Sequence, residues 1–133
     1  MNLEILKIAS NTKNFKDIKK YTHHSKSKNP LCGDEIHIKL VISDQKIIDF
    51  GYQGKSCIYC QATASILSNK LVNYKTFKIN ELCDYAKIYF TENQSNLSKE
   101  WKFLNKLLSQ KNVSRQECIL LPFNALKKIV TNL

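Results

Sequence analysis

The stretch from residue 36 to residue 52 limits the fold more than any other part of the chain. Ile36, Ile38, Leu40 and Ile42 alternate with His37, Lys39 and Val41, and after Asp44-Gln45 the chain returns through Ile47 to Tyr52. Alternation of period two on either side of a short polar turn predicts an antiparallel hairpin with one buried face. From Cys57 the pattern changes: Ala62, Ala64, Ser65, Ile66 and Leu67 continue to Leu71 as a helix. Helical spacing recurs over 79–90, 97–108 and 119–133, with a break at 76–80, capping residues at Ser95-Asn96-Leu97-Ser98 and a last loop at Asn112-Val113-Ser114-Arg115. Upstream, residues 2–21 read as helical with an interruption at 11–14, and the polar run from Thr22 to Pro30 reads as a loop. Strands early and helices late predict an α+β fold, a small antiparallel sheet of about three strands packed against four to five helices.

A chain of 133 residues with 43% apolar and 10% aromatic residues suits one core, so residues 1–133 are expected to form a single domain. Trp101, Phe103, Leu104, Leu107 and Leu108 are assigned to that core. The sequence offers no run of roughly 18–20 apolar residues, so no membrane partner is expected. The first residues, Met1 to Lys7, carry an early acid and do not read as a secretory signal, which makes a cytoplasmic location the expectation. A net charge of +10 raises nucleic acid as a partner, but only Arg115 among 21 basic residues is Arg. Base readout and bidentate phosphate contacts favour Arg, so nucleic acid is not expected either.

Five cysteines, Cys32, Cys57, Cys60, Cys83 and Cys118, make an odd number, and without an export signal they point to metal binding or thiol chemistry rather than disulfides. Cys32 precedes the first strand of the hairpin, Cys57 lies between strand and helix, and Cys118 opens the last helix. Ligand cysteines sit where loops converge, whereas Cys83, between Leu82 and Ala86, fits a core position. A helix N-terminus next to Cys57 and Cys118 is expected to lower their thiol pKa values. In Cys32-Gly33-Asp34, Gly33 permits a tight turn and Asp34 adds a hard oxygen beside a soft sulfur. Three thiolates and one carboxylate suit zinc, or iron in a cluster. Cys60, one helical turn from Cys57, is either a further ligand facing the site or a core residue, with the site-facing position favoured. His23 and His24 read as solvated loop residues.

Three ordered segments resemble the NifU/IscU/SufU iron–sulfur scaffold family. Asn29-Pro30-Leu31-Cys32-Gly33-Asp34 is similar to its NPxCGD segment, and Gly54-Lys55-Ser56-Cys57 with Gln61-Ala62-Thr63-Ala64-Ser65 to its GxGC…ASAS segment. Arg115-Gln116-Glu117-Cys118-Ile119-Leu120-Leu121-Pro122 resembles the closing RxxCxxLP segment. Ser56, Ile58-Tyr59-Cys60 and Glu117 depart from the pattern and indicate a divergent member. The spacing between Cys57 and Cys118, and the lack of an LPPVK segment, resemble the SufU-type branch more than the IscU type. The resemblance implies a SufE/NifU-like fold, a single NifU N-terminal-like domain, and metal ligands Cys32, Asp34, Cys57 and Cys118. It implies a scaffold that gathers iron and sulfide, or a [2Fe-2S] cluster, with a cysteine desulfurase and apo iron–sulfur acceptor proteins as partners. The alternative it implies is a zinc-dependent sulfurtransferase in which Cys118 accepts persulfide sulfur. Arg115, three residues before Cys118, is then placed to stabilise thiolate or persulfide charge or to dock the desulfurase.

Overall fold

The structure, a computed structural model, describes residues 2–92 and 97–133; Met1 and the Ser95-Asn96 half of the expected capping region lie outside the described residues. The hairpin forms where alternation predicts it. Strands β2 (Glu35–Ser43) and β3 (Lys46–Lys55) pair antiparallel from Glu35↔Lys55 to Ser43↔Lys46. Asp44 and Gln45 turn the chain with φ of 52° and 64°, the double positive φ of a two-residue turn that matches the twist of the flanking strands. Ile36, Ile38, Leu40, Ile47, Phe50 and Tyr52 point inward and are buried.

The third strand is β1 (His23–Lys28), in the stretch expected to be a loop. It pairs antiparallel with β2 along its whole length, from His23↔Leu40 to Lys28↔Glu35, giving a sheet in the order β1-β2-β3. His-His-Ser-Lys-Ser-Lys shows no apolar alternation because this edge strand turns small hydroxyl side chains to the helices. Ser25 Oγ donates to the Ala125 carbonyl at 2.6 Å, and Ser27 is buried. Lysines on an edge strand also discourage pairing with another chain.

Helix α1 (Leu3–Ala9) ends well short of residue 21. Beyond Ala9 the backbone goes to the sheet instead: the Lys16 amide donates to the Tyr52 carbonyl and the Tyr52 amide to the Asn14 carbonyl, both at 3.1 Å. Helix α2 (Ile58–Lys70) follows the hairpin as expected, and α3 (Thr76–Tyr89) starts where a break was expected. The turn lies instead at 71–75, where Asn73 takes φ 76°. The region expected to be one helix over 97–108 is wound as a 3-10 helix, Lys99–Leu104, and a second, Gln110–Arg115, replaces the expected last loop. Helix α4 (Gln116–Thr131) closes the chain. Four α-helices and two 3-10 helices among the described residues thus accompany three strands, as the α+β expectation had it. Trp101, Leu104, Leu107 and Leu108 are buried in the core and Phe103 packs against it.

Helix α4 packs on β1 and β2, and α2 on β3 and α4, so the helices cover the face of Ile36, Ile38 and Leu40. The ends of β1, β2 and β3 that carry Lys28, Glu35 and Lys55 therefore meet the N-termini of α2 and α4. No described helix is long and apolar enough to cross a membrane.

Candidate metal centre

At that meeting point the chain makes a closed turn. The Asn29 amide donates to the Asp34 carbonyl and the Gly33 amide to the Asn29 carbonyl, each at 2.8 Å. Gly33 takes φ +78°, which L side chains adopt at a cost, and this aims Cys32 and Asp34 to the same side. The Asn29 side chain fixes the turn from within: Oδ1 accepts the Leu31 amide at 3.0 Å, and Nδ2 donates to Glu117 Oε2 at 3.4 Å. It thereby ties the Cys32 turn to the residue before Cys118.

Asp34 is 9% exposed, and its Oδ2 accepts the backbone N–H of Cys57 at 3.2 Å. Cys57 is the extended N-cap residue of α2, and Cys118 is the third residue of α4. One donor atom each from Cys32, Asp34 and Cys118 lies within 4.8 Å of the other two. Cys57 stands outside that tightest group, but its backbone N–H is held by Asp34 and its thiol acts on the Cys118 thiol, raising the Cys118 pKa. Ligands about 2.0–2.3 Å from one tetrahedral ion stand about 3.3–3.8 Å apart and those of a small cluster further, so donors within 4.8 Å of one another are close enough for either after small side-chain shifts. Soft sulfur with one carboxylate fits zinc or iron–sulfur chemistry and does not fit magnesium or calcium.

A helix N-terminus was expected to lower the Cys118 pKa; its surroundings act in the opposite direction. Burial, then the hydrogen bond and charge of Cys57, then the charges of Asp34 and Cys32 push the Cys118 thiol up to about 12. Several groups that all become anionic are crowded together, and one turn of helix does not offset that. A bound cation reverses the sign for every ligand at once. Pro122 adds a local feature: it offers no N–H to the Cys118 carbonyl four residues earlier.

Cys60 is fully buried in the core cluster and lies outside the group of converging donors. Its thiol is pushed up to about 12, chiefly by burial, against the opposite effect of Ser56, with the charges of Asp34, Cys57 and Cys32 acting in the same direction as burial. Cys83 is buried within α3, as expected for a core position. Arg115 ends the second 3-10 helix and stacks its guanidinium over Tyr59, 5.3 Å from the ring centroid. With Asn29, Leu31, Cys32, Val113 and Cys118 it lines an open pocket of about 390 Å³, beside which Leu31 stands 86% exposed. Asn29 and Tyr59 are site residues to which sequence reasoning gave no role of their own. The Asn-Pro turn signal was available for Asn29, and nothing in the sequence pairs Tyr59 with Arg115.

The NifU-like N-terminal domain family matches residues 2–99, a span that includes Cys32, Asp34 and Cys57 and stops short of Cys118. An iron–sulfur cluster assembly scaffold protein, IscU, of Thermotoga maritima is 31% identical over 105 residues, covering 76% of this chain and 71% of that protein. An uncharacterized protein of Borreliella burgdorferi is 29% identical over 127 residues, 96% of this chain and 79% of the relative. Two crystal structures share the fold at TM-score 0.86 and 19% identity, each over 98% of this chain. They are a NifU-like protein (N-terminal) of Brucella abortus, of which 91% is covered, and a putative SUF-system scaffold protein of Fervidobacterium islandicum, of which 96% is covered. On the span of the family match and the identity to the Thermotoga protein, this chain belongs to the NifU-like N-terminal domain family.

Proposed function

We propose that this protein is an iron–sulfur cluster assembly scaffold that gathers iron and sulfide at Cys32, Asp34, Cys57 and Cys118 and passes the cluster on. The convergence of Cys32, Asp34 and Cys118, from a turn and a distant helix, within 4.8 Å carries the proposal. Iron and sulfide are cargo here. Thiolates hold the cluster, and the harder Asp34 oxygen is the ligand that lets go during transfer. The cluster type we propose is [2Fe-2S]. Sulfur comes from a cysteine desulfurase, and apo iron–sulfur proteins receive the product; residues 1–133 act as one domain in the cytoplasm. Leu31, exposed beside Cys32, and Arg115 supply an apolar and a cationic contact for these partners.

The half-exposed Cys118 beside Arg115 in an open pocket supports a second function, zinc-dependent sulfur transfer in the manner of a SufU-type branch. There the Cys118 thiolate attacks the outer sulfur of the desulfurase persulfide, its S–S bond breaks, and the desulfurase leaves as a thiolate. Cys32, Asp34 and Cys57 would hold the zinc, which would favour the deprotonated thiols, and Arg115 would balance the new persulfide charge. Cys60 belongs to the packing beneath the site in both cases, because its buried, neutral thiol is costly to ionise.

Anaerobic purification with metal analysis, followed by incubation with ferrous iron, cysteine and a desulfurase, separates the two. A scaffold develops the visible absorption and circular dichroism of a [2Fe-2S] cluster and yields it to an apo-ferredoxin. Stoichiometric zinc that iron does not displace, with a persulfide on Cys118 and no chromophore, rejects the scaffold in favour of sulfur transfer.

A further inference from the structure

The face of the sheet turned away from the helices carries a second convergence of metal-binding atoms. On β1, His24 and Lys26 point outward, and on β2, Glu35, His37 and Lys39 do the same. His24 Nδ1 and His37 Nε2 lie 3.3 Å apart, with ring centroids 5.4 Å apart and planes 68° apart. Two imidazole nitrogens each about 2.0–2.1 Å from one tetrahedral ion are separated by about 3.3–3.4 Å.

From this spacing we infer that His24 and His37 form a second, peripheral site for a late first-row divalent cation of the zinc class, independent of the cysteine centre. Imidazole suits such ions, and water completes the coordination of a site with two protein ligands. In the metal-free pair one ring donates a hydrogen to the other. On binding, that ring moves its proton to its remote nitrogen, so no proton need leave the protein.

Strand pairing fixes the spacing of the two backbones. His24 and His37 are diagonal neighbours across the β1–β2 ladder, one step from the pairs His24↔Lys39 and Lys26↔His37. Tyr21 packs edge-on against His24 at 5.1 Å and buttresses the ring. The surrounding charge is largely neutralised: Lys39 is paired with Asp17 at 2.6 Å and Lys26 with Glu35 at 3.4 Å. Burial, followed by the charges of His24, Lys39 and Lys26, lowers the His37 pKa below its ordinary 6.5 against the opposite effect of Asp17, and this favours the neutral, ligating ring. His23, the remaining histidine, turns its Nδ1 to Thr22 Oγ1 at 2.8 Å and serves as an internal control.

Zinc sulfate titrated into the wild-type chain, followed by long-range imidazole proton–nitrogen correlation, tests the assignment. The His24 Nδ1 and His37 Nε2 resonances should shift together at one stoichiometry while those of His23 stay in place. Equilibrium dialysis should count one zinc fewer per chain in His24→Gln and in His37→Gln than in wild type or His23→Gln. A Cys32→Ser/Cys118→Ser chain should keep the histidine response whatever the cysteine centre binds. An unchanged His24 response in His37→Gln, a zinc count equal in all the histidine variants, or equal movement of His23 would overturn the site.

Discussion

Replacing Asp34 separates the two tasks assigned to its carboxylate. One is structural: at 9% exposure it accepts the Cys57 N–H at 3.2 Å and so fixes the start of α2. A hydrogen bond to a charged partner is worth about 1.5–3 kcal/mol, and little solvent reaches this one to weaken it. Asp34→Ala should therefore destabilise the metal-free protein by about 1.5–3 kcal/mol. For a chain of this size each kcal/mol moves the melting temperature by about 3–5 °C, giving a fall of about 5–15 °C. Asp34→Asn keeps an acceptor oxygen of the same reach and should lose less than half of that. The other task is ligand exchange, which both variants remove because neither supplies a hard anionic oxygen. Transfer of a reconstituted cluster to apo-ferredoxin, followed by circular dichroism, should slow by about 10–100-fold in both, the range typical of changes around a metal site. An Asp34→Ala protein that melts with wild type would refute the structural role. Wild-type transfer rates in both variants would refute the exchange role.

Asn29→Ala removes two side-chain hydrogen bonds, to the Leu31 amide and Glu117, and should cost about 1–3 kcal/mol by denaturant unfolding, with lower metal content because the turn and α4 are no longer tied. A Cβ at Gly54, φ +145°, would collide with the Glu35 carbonyl, so Gly54→Ala should cost about 2–5 kcal/mol from strain and overpacking. Gly33→Ala, φ +78° with open space around it, should cost only about 1–2 kcal/mol; thermal melts would check the order. Burial raises the Cys83 thiol from 9.0 to about 12, so the folded chain keeps its proton while the unfolded chain loses it. Its contribution is intact below pH 9 and declines by up to about 1.4 kcal/mol per pH unit toward pH 12; Cys83→Ala should remove that share of the slope in alkaline unfolding curves and leave the shares of Cys60 and Cys118.

The parts legible in the sequence were those whose side-chain pattern and partner agree. The hairpin and α2 have their own periodicity, and Cys32, Asp34, Cys57 and Cys118 stand at element borders that the fold brings to one end of the sheet. Strand β1 was illegible because its inward positions are Ser25 and Ser27, which bury without being apolar. Residues 10–22 carry a helix-like spacing of Phe15, Ile18 and Tyr21, but the backbones of Asn14 and Lys16 bond to Tyr52 and that of Thr22 to Leu40. Tertiary pairing decided there, not local propensity. The raised Cys118 pKa follows first from burial and then from Cys57, Asp34 and Cys32 around it, and no sequence spacing displays that burial or crowding.

The most direct test of the proposed centre is the iron and sulfide bound per chain after anaerobic reconstitution of Cys32→Ser, Cys57→Ser, Cys118→Ser and, as a control, Cys83→Ser. A site built from the converging Cys32, Asp34 and Cys118 together with the neighbouring Cys57 predicts that each of the first three loses most of its iron and sulfide, while Cys83→Ser, altered inside the core of α3, keeps the wild-type content. Wild-type content in two of the three site variants would contradict the assignment of this centre.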